Sequence, residues 1–152
     1  MKKVFGALMA AVLAVMLVAC GAKTQTATYS LETEQSGIQM KETMTLEAEG
    51  DKIVKITDKL EMDFAAFDDS TIEQLKGAYD EIVEQCNSVE GANCKSDFSG
   101  STYTMTLTVD VKSGAANELS DLGLLQVTGD SDSLSLKATE EGLAGNGYVK
   151  VS

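Results

Sequence analysis

Cys20 is the residue whose neighbours most clearly prescribe a reaction. Leu17-Val18-Ala19 precedes it and Gly21 follows it, the box at which a signal peptidase cuts ahead of a lipid-modified cysteine. The thiol of Cys20 would carry a diacylglyceryl group, and the amine freed by the cut could accept a further acyl chain. One chain alone holds a protein only reversibly, each buried CH₂ contributing about 0.8 kcal/mol, so two or three chains give lasting attachment. Cys86 and Cys94 are the other two cysteines. Two thiols eight positions apart in an exported chain fit a disulfide better than a metal pair. Such a bridge would close a short loop and contribute about 2 to 3 kcal/mol in the chain-entropy model. Two reduced cysteines, as in a poorly oxidising envelope, are the other reading.

Other chemistries find few residues to work with. The chain contains no His, so Ser-His and Cys-His nucleophiles are excluded, and a zinc site at Cys86 and Cys94 would lack two ligands. No Gly-rich phosphate loop follows a strand, and the Cys-x-x-Cys spacing of a dithiol oxidoreductase is missing. Asp68/Asp69, Glu73 with Asp80, Glu140/Glu141 and Asp130 with Asp132 are acidic pairs that a glycosidase could use. With no Trp and four Tyr, there is little to stack a sugar on, and helix caps and solvated faces account for these pairs. Gly129-Asp130-Ser131-Asp132-Ser133 opens like a calcium loop but lacks its Gly at the sixth position and its Glu at the twelfth. Met40, Met44, Met62 and Met105 fall on apolar strand faces, where core filling explains them better than copper binding. No catalytic residue, metal ligand or cofactor is expected.

The first residues read as an address. Lys2 and Lys3 form a basic head, and Val4 to Ala19 form an apolar core ending in small residues. As a helix this core would span only about 24 Å, short of the roughly 30 Å of hydrocarbon that a spanning segment crosses. We therefore expect residues 1–19 to be a cleaved lipoprotein signal peptide, 20–26 the lipidated cysteine and a polar tether, and 27–152 a single domain. The chain carries 24 acidic residues against 12 basic ones, a formal charge of −12, and every basic residue is Lys. Nothing is basic enough to track nucleic acid phosphates. An acidic domain is also not drawn flat onto anionic lipid, so it should stand off the membrane that holds it.

Periodicity supplies the elements. Ala27, Tyr29 and Leu31 begin a period-two pattern. Ile38, Met40, Met44, Leu46 and Ala48 continue it on a second strand, with Glu42 the exception that places its neighbourhood at a sheet margin. Glu49-Gly50-Asp51-Lys52 makes a hairpin turn, and Val54, Ile56, Leu60 and Met62 return. From a capping box at Ser70 and Glu73, Ile72, Leu75, Tyr79, Ile82, Val83 and Cys86 recur at helical spacing. Gly77 inside this helix suggests close approach to the sheet. Cys94 to Phe98 and Tyr103 to Val111 form a second hairpin. Asn117 to Leu125 reads as a short helix with Leu119, Leu122 and Leu125 inward. Ser133 to Ala144 reads as a last helix, although the Leu134/Leu136 alternation also admits a strand, and Tyr148 to Val151 ends extended. The fold class is α+β: a three-stranded antiparallel meander plus a second hairpin, covered on one face by a long amphipathic helix and shorter C-terminal helices.

The lipobox, the polar tether, the arm GDKIVKITDKLEMDF, the helix IEQLKGAYDEIVE, the Tyr-x-Met-x-Leu-x-Val-Asp strand and the closing Gly-aromatic tail together resemble the YehR-like family of uncharacterised bacterial lipoproteins. The resemblance covers Thr26 to Val151. It implies an α+β domain and carries over only Cys20 as a functional position. Cys86 and Cys94 depart from the family pattern, and the last helix is weaker here.

These features point to a membrane-anchored lipoprotein on the extracytoplasmic face of the cell envelope. Its role is a non-enzymatic one, binding an envelope protein or a small ligand. The solute-binding component of an uptake system and a carboxylate-based enzyme are the alternatives. Two carboxylates facing one another in a cleft would favour the enzyme.

Overall fold

The computed structural model describes residues 23–126 and 133–152. Three strands of equal length, β1 (Thr24–Gln35), β2 (Ile38–Glu49) and β3 (Lys52–Asp63), form the meander. Helix α1 (Asp69–Asn87) follows, then the hairpin of β4 (Ala92–Ser99) and β5 (Thr102–Asp110). A single 3-10 turn at Val111–Ser113 leads into α2 (Ala115–Asp121), and α3 (Leu136–Gly145) precedes the short β6 (Val149–Lys150). All the strands join one antiparallel sheet in the order β4-β5-β3-β2-β1-β6.

β1 starts earlier than its side chains suggest. Thr24, Gln25 and Thr26 pair with Glu49, Ala48 and Glu47, the Gly50 amide donates to the Lys23 carbonyl at 3.1 Å, and Gln25 Nε2 donates to the Gly50 carbonyl at 2.7 Å. Ladder bonds are made by the main chain, so small polar residues that cannot pack can still be strand. The expected tether therefore shortens by three residues. The register between β2 and β3 shifts at Glu47/Ala48, which pair with Lys55 and Ile53 and leave Val54 as the extra residue on β3. This bulge leaves Val54 out of phase and turns Ile53, fully buried, onto the inner face in its place.

The outer face is wet. Thr28, Thr45, Thr57 and Thr108 lie opposite one another across four strands, and Lys55–Glu47 and Lys59–Glu61 ion pairs flank them at 3.0 and 3.1 Å. Threonine suits this position because its branched Cβ favours strand while its hydroxyl stays hydrated.

Two packing units share the inner face. Under α1 the residues are aromatic: Phe64 and Tyr103 meet Tyr79, whose ring stacks on Tyr103 at 4.3 Å, and Phe98 packs against Phe64 and Tyr103. Under α2 and α3 they are aliphatic, with Leu46, Ile53, Val109 and Leu119 fully enclosed. The capping residue of α1 is Asp68, whose carboxylate accepts from the Thr71 amide at 2.9 Å, instead of Ser70. Gly77 faces water with nothing within 4 Å of where a Cβ would sit, so it does not mark a close approach to the sheet. Leu122 is 48% exposed rather than inward, because α2 ends at Asp121 and Gly123 turns the chain away at φ +73°. Leu134 and Ser135 settle both readings of the last segment. Ser135 bridges Lys52 as a strand residue would, the Leu134 carbonyl accepts from Ile53, and the Ser135 hydroxyl then caps α3 by accepting from the Ala138 amide at 3.2 Å. The calcium-like stretch from Gly129 to Asp132 lies outside the described residues.

Gly77→Ala should stabilise the domain by about 1 kcal/mol, since it restores helix propensity at an uncrowded, exposed site. Urea unfolding with a midpoint no higher than that of the wild type would contradict this placement.

Candidate functional site

The inner face is interrupted by two carboxylates. Leu31, Glu42, Leu60 and Met105 form one cross-strand row, and Tyr29, Met44, Asp58 and Leu107 form the next. Glu42 and Asp58 are thus diagonal neighbours on adjacent strands, at the spacing of roughly 7–8 Å over which long side chains interact. β2 is flanked by β3 and β1, so Glu42 lies in the body of the sheet and not at its margin. Alternation reports which face a side chain takes but not how far its strand lies from an edge. Asp58 has no counterpart among the candidates read from the sequence. The signal that finds it is phase: it falls between Ile56 and Leu60 at the strand period.

Helix α3 and the segment after α2 roof these carboxylates without closing onto them. A cavity of about 650 Å³ remains between roof and sheet, within the usual range for small-molecule sites. Met44, Leu46, Ile56, Leu125, Leu134 and Leu143 supply apolar walls, and Glu42, Asp58, Thr139, Asn146 and Tyr148 supply polar atoms. No lysine lines it among the described residues.

Burial pushes the Asp58 carboxyl up to about 7, and the charge of Glu42 adds to the shift. Its Oδ1 is enclosed and has no hydrogen-bond partner among the described residues, although buried acceptors are nearly always satisfied. Tyr148 lies beside Glu42, and burial followed by that carboxylate raises its pKa. Tyr148 is carried there by β6, which is held to β1 by Ser30–Val149 and Tyr29–Lys150 pairing. The Tyr29 hydroxyl and Lys150 Nζ both bond Glu140, the latter at 3.0 Å, and so fasten α3 to the same edge.

The acidic pairs noticed in the sequence are not brought together as sites. Asp68 caps α1, Glu73 pairs with Lys76 at 3.6 Å, Glu140 holds Tyr29 and Lys150, and Asp80 and Glu141 are exposed. Asp130 and Asp132 fall outside the described residues, as does Cys20. Among the described residues no three or more His, Cys, Asp or Glu side chains gather as metal ligands. The named methionines pack in the core clusters or against them. Cys86 and Cys94 are buried and are free thiols here. Each thiol perturbs the other, and burial, then Cys94, pushes the Cys86 thiol up to about 12. Asn87 fixes the pair's geometry, donating to the Cys94 carbonyl at 2.9 Å and accepting from its amide at 2.7 Å.

A six-stranded antiparallel sheet with its helices on one face and a roofed, acidic cavity defines the class. The chain belongs to the family described as a protein of unknown function, DUF1307, whose model matches residues 25–149. It is 32% identical to the uncharacterised lipoprotein Lin0239 of Listeria innocua, over 99% of this chain and 97% of the relative. It is 29% identical to the uncharacterised lipoprotein Lmo0207 of Listeria monocytogenes, over 100% of this chain and 97% of that one. The NMR structure of the Escherichia coli YehR protein shares the fold at a TM-score of 0.62, with 15% identity, over 84% of this chain and 91% of that one. That of a Streptococcus pneumoniae protein does so at 0.52, with 17% identity, over 99% and 98%. The protein is a bacterial lipoprotein of the cell envelope that shares the fold of YehR.

Asp58 sets a slope of stability with pH. Unfolded, its carboxyl titrates near 3.9; folded, it holds its proton to about 7. The native state therefore binds the extra proton between these values, and stability from this group is full below about pH 4 and lost as pH rises to about 7. Asp58→Asn should remove that loss, gaining about 2 to 4 kcal/mol on the wild type between about pH 4 and pH 8. A difference in unfolding free energy that does not change with pH would show that Asp58 titrates normally.

Proposed function

We propose that this lipoprotein binds a small, partly apolar molecule at the membrane surface, in the cavity between the sheet and α3. The observation that carries this reading is a cavity of about 650 Å³ with aliphatic walls and a few convergent polar groups, the usual composition of a ligand site. Gly142 lies on the wall, and nothing crowds a Cβ built there. Gly142→Phe should fill the space while leaving α3 intact. A thermal-shift screen that finds ligands for the wild type, all of them lost in Gly142→Phe, would support the reading. The same ligands binding both proteins equally would overturn it.

Cys20 is the attachment point in this proposal. It follows a signal-peptide pattern, and only Gly21, Ala22 and Lys23 separate it from β1. Four residue steps reach at most about 14 Å, which holds the β2–β3 turn close to the headgroups. Cys20→Ser should abolish lipidation and either release the protein or leave it unprocessed. A variant that fractionates with membranes at the normal mature size would rule out Cys20.

A second reading keeps the carboxylate pair as general acid and base, because Glu42 and Asp58 share one cleft and Asp58 keeps its proton to about 7. Binding is preferred because no cationic side chain lines the described cavity to stabilise a developing negative charge.

We also propose that Cys86 and Cys94 form a bridge in the oxidising envelope, supported by two buried thiols close enough for each to perturb the other. Thiol titration of denatured protein taken from the envelope should then find neither sulfur free, and reduction should cost about 2 to 3 kcal/mol of stability. Two titratable thiols would refute the bridge.

A further inference from the structure

We propose that the molecule held in this cavity is an organic ammonium ion, its apolar body on the aliphatic wall and its N–H groups directed at Asp58 and Glu42. This rests on the binding role proposed above and names its ligand class.

Three features of the cavity converge. The first is charge. From β2 it receives Glu42, from β3 Asp58, and ahead of β6 Tyr148, while the lining residues of α3 and of the segment after α2 carry no titratable group. An ionised ligand of the same sign would meet two carboxylates and no compensating cation, an arrangement that disfavours it strongly. The second is hydrogen bonding. Asp58 and Glu42 both line the cavity, Asp58 Oδ1 finds no donor among the described residues, and Glu42 has Tyr148 beside it. A carboxylate pair has more acceptor sites than this, and an ammonium brings up to three donors and no acceptor. The third is shape. The carboxylates lie on the sheet while Leu124, Leu125, Leu134 and Leu143 form the opposite wall, so one amphiphilic molecule satisfies both sides. A purely polar cation would leave the leucines bare, and a hydrocarbon would leave Asp58 unpartnered.

The protonation balance follows. Near neutral pH a fraction of Asp58 is still protonated because of its burial and of Glu42. When the ammonium enters as a cation, Asp58 releases that proton to solvent, and the carboxylate so formed pairs with the ammonium while Glu42 keeps its charge beside them. Binding should strengthen as pH rises through about 7. Tyr148 keeps its proton throughout, since burial and Glu42 raise its pKa.

The test uses the membrane-purified lipoprotein in zwitterionic nanodiscs, with empty discs as the blank. Phenethylamine, phenethyl alcohol and phenylacetate share a body and differ in head group. The amine should bind about tenfold tighter than the alcohol, the advantage of a charge-assisted hydrogen bond, and phenylacetate should not bind. Asp58→Asn should abolish both the amine's preference and its strengthening with pH, and Gly142→Phe should abolish binding of amine and alcohol alike. Equal binding of amine and alcohol would overturn the ammonium class while leaving the cavity a ligand site. No binding of any probe would remove the binding role itself. Amine binding that survives both Asp58→Asn and Gly142→Phe would be adsorption on an acidic surface, and would overturn the inference.

Discussion

Ionisable groups cannot be packed dry against hydrocarbon. The cost of burying an unpaired carboxylate runs to several kcal/mol, and the group responds by keeping its proton or by keeping access to something polar. Glu42 and Asp58 sit in the middle of the one face that this sheet buries. A helix seated directly on them would strand both. The roof of α3 instead meets the sheet at Leu134, Leu136 and Leu143, which are buried, and leaves space above the acids. The cavity is a consequence of the residues beneath it.

The inner face is accordingly divided. Towards β4 it is closed, with α1 laid over stacked aromatic rings that leave little room for water. Towards β1 it is open and covered by the shorter helix. The C-terminus matters out of proportion to its length, because β6 carries Tyr148 to Glu42 and Lys150 to Glu140, joining the edge of the sheet to the roof. The other end of α3 is held by Asp51 in the β2–β3 turn, which accepts from the Ser135 hydroxyl at 2.7 Å and the Lys137 amide at 3.0 Å. Those bonds to the ionised form, hydroxyl first, hold the Asp51 carboxyl below its ordinary range. The roof is thus tied to the sheet at both ends and spans the acids between.

The first described strand and the cavity belong to one sheet. β1 pairs with β2 from Thr24 onward, so the strand nearest the lipid-bearing N-terminus also supplies Leu31 to the cavity wall.

Local pattern determined much of this protein. The period of two gave the strands their buried face, the spacing of Ile72 through Cys86 gave α1 its stripe, and together they specified an α+β domain with its helices on one side. These are properties of near neighbours in the chain, and the absence of His from the composition left no histidine chemistry to place. What it could not determine was which strand ends up central. Glu42 breaks an apolar alternation equally well at an edge or in the middle of a sheet, and only the pairing of β2 with both β1 and β3 made it interior. Asp58 was visible in phase with Ile56 and Leu60, but its importance depended on Glu42 lying diagonally across a strand pair and on α3 arriving from far along the chain. The start of β1 was likewise hidden, since backbone ladder bonds leave no mark on side-chain pattern. Cys20 is the reverse case. Its proposed role is written wholly in adjacent residues, because a processing enzyme reads them as an extended local signal, whereas a binding site exists only once distant strands have been brought together.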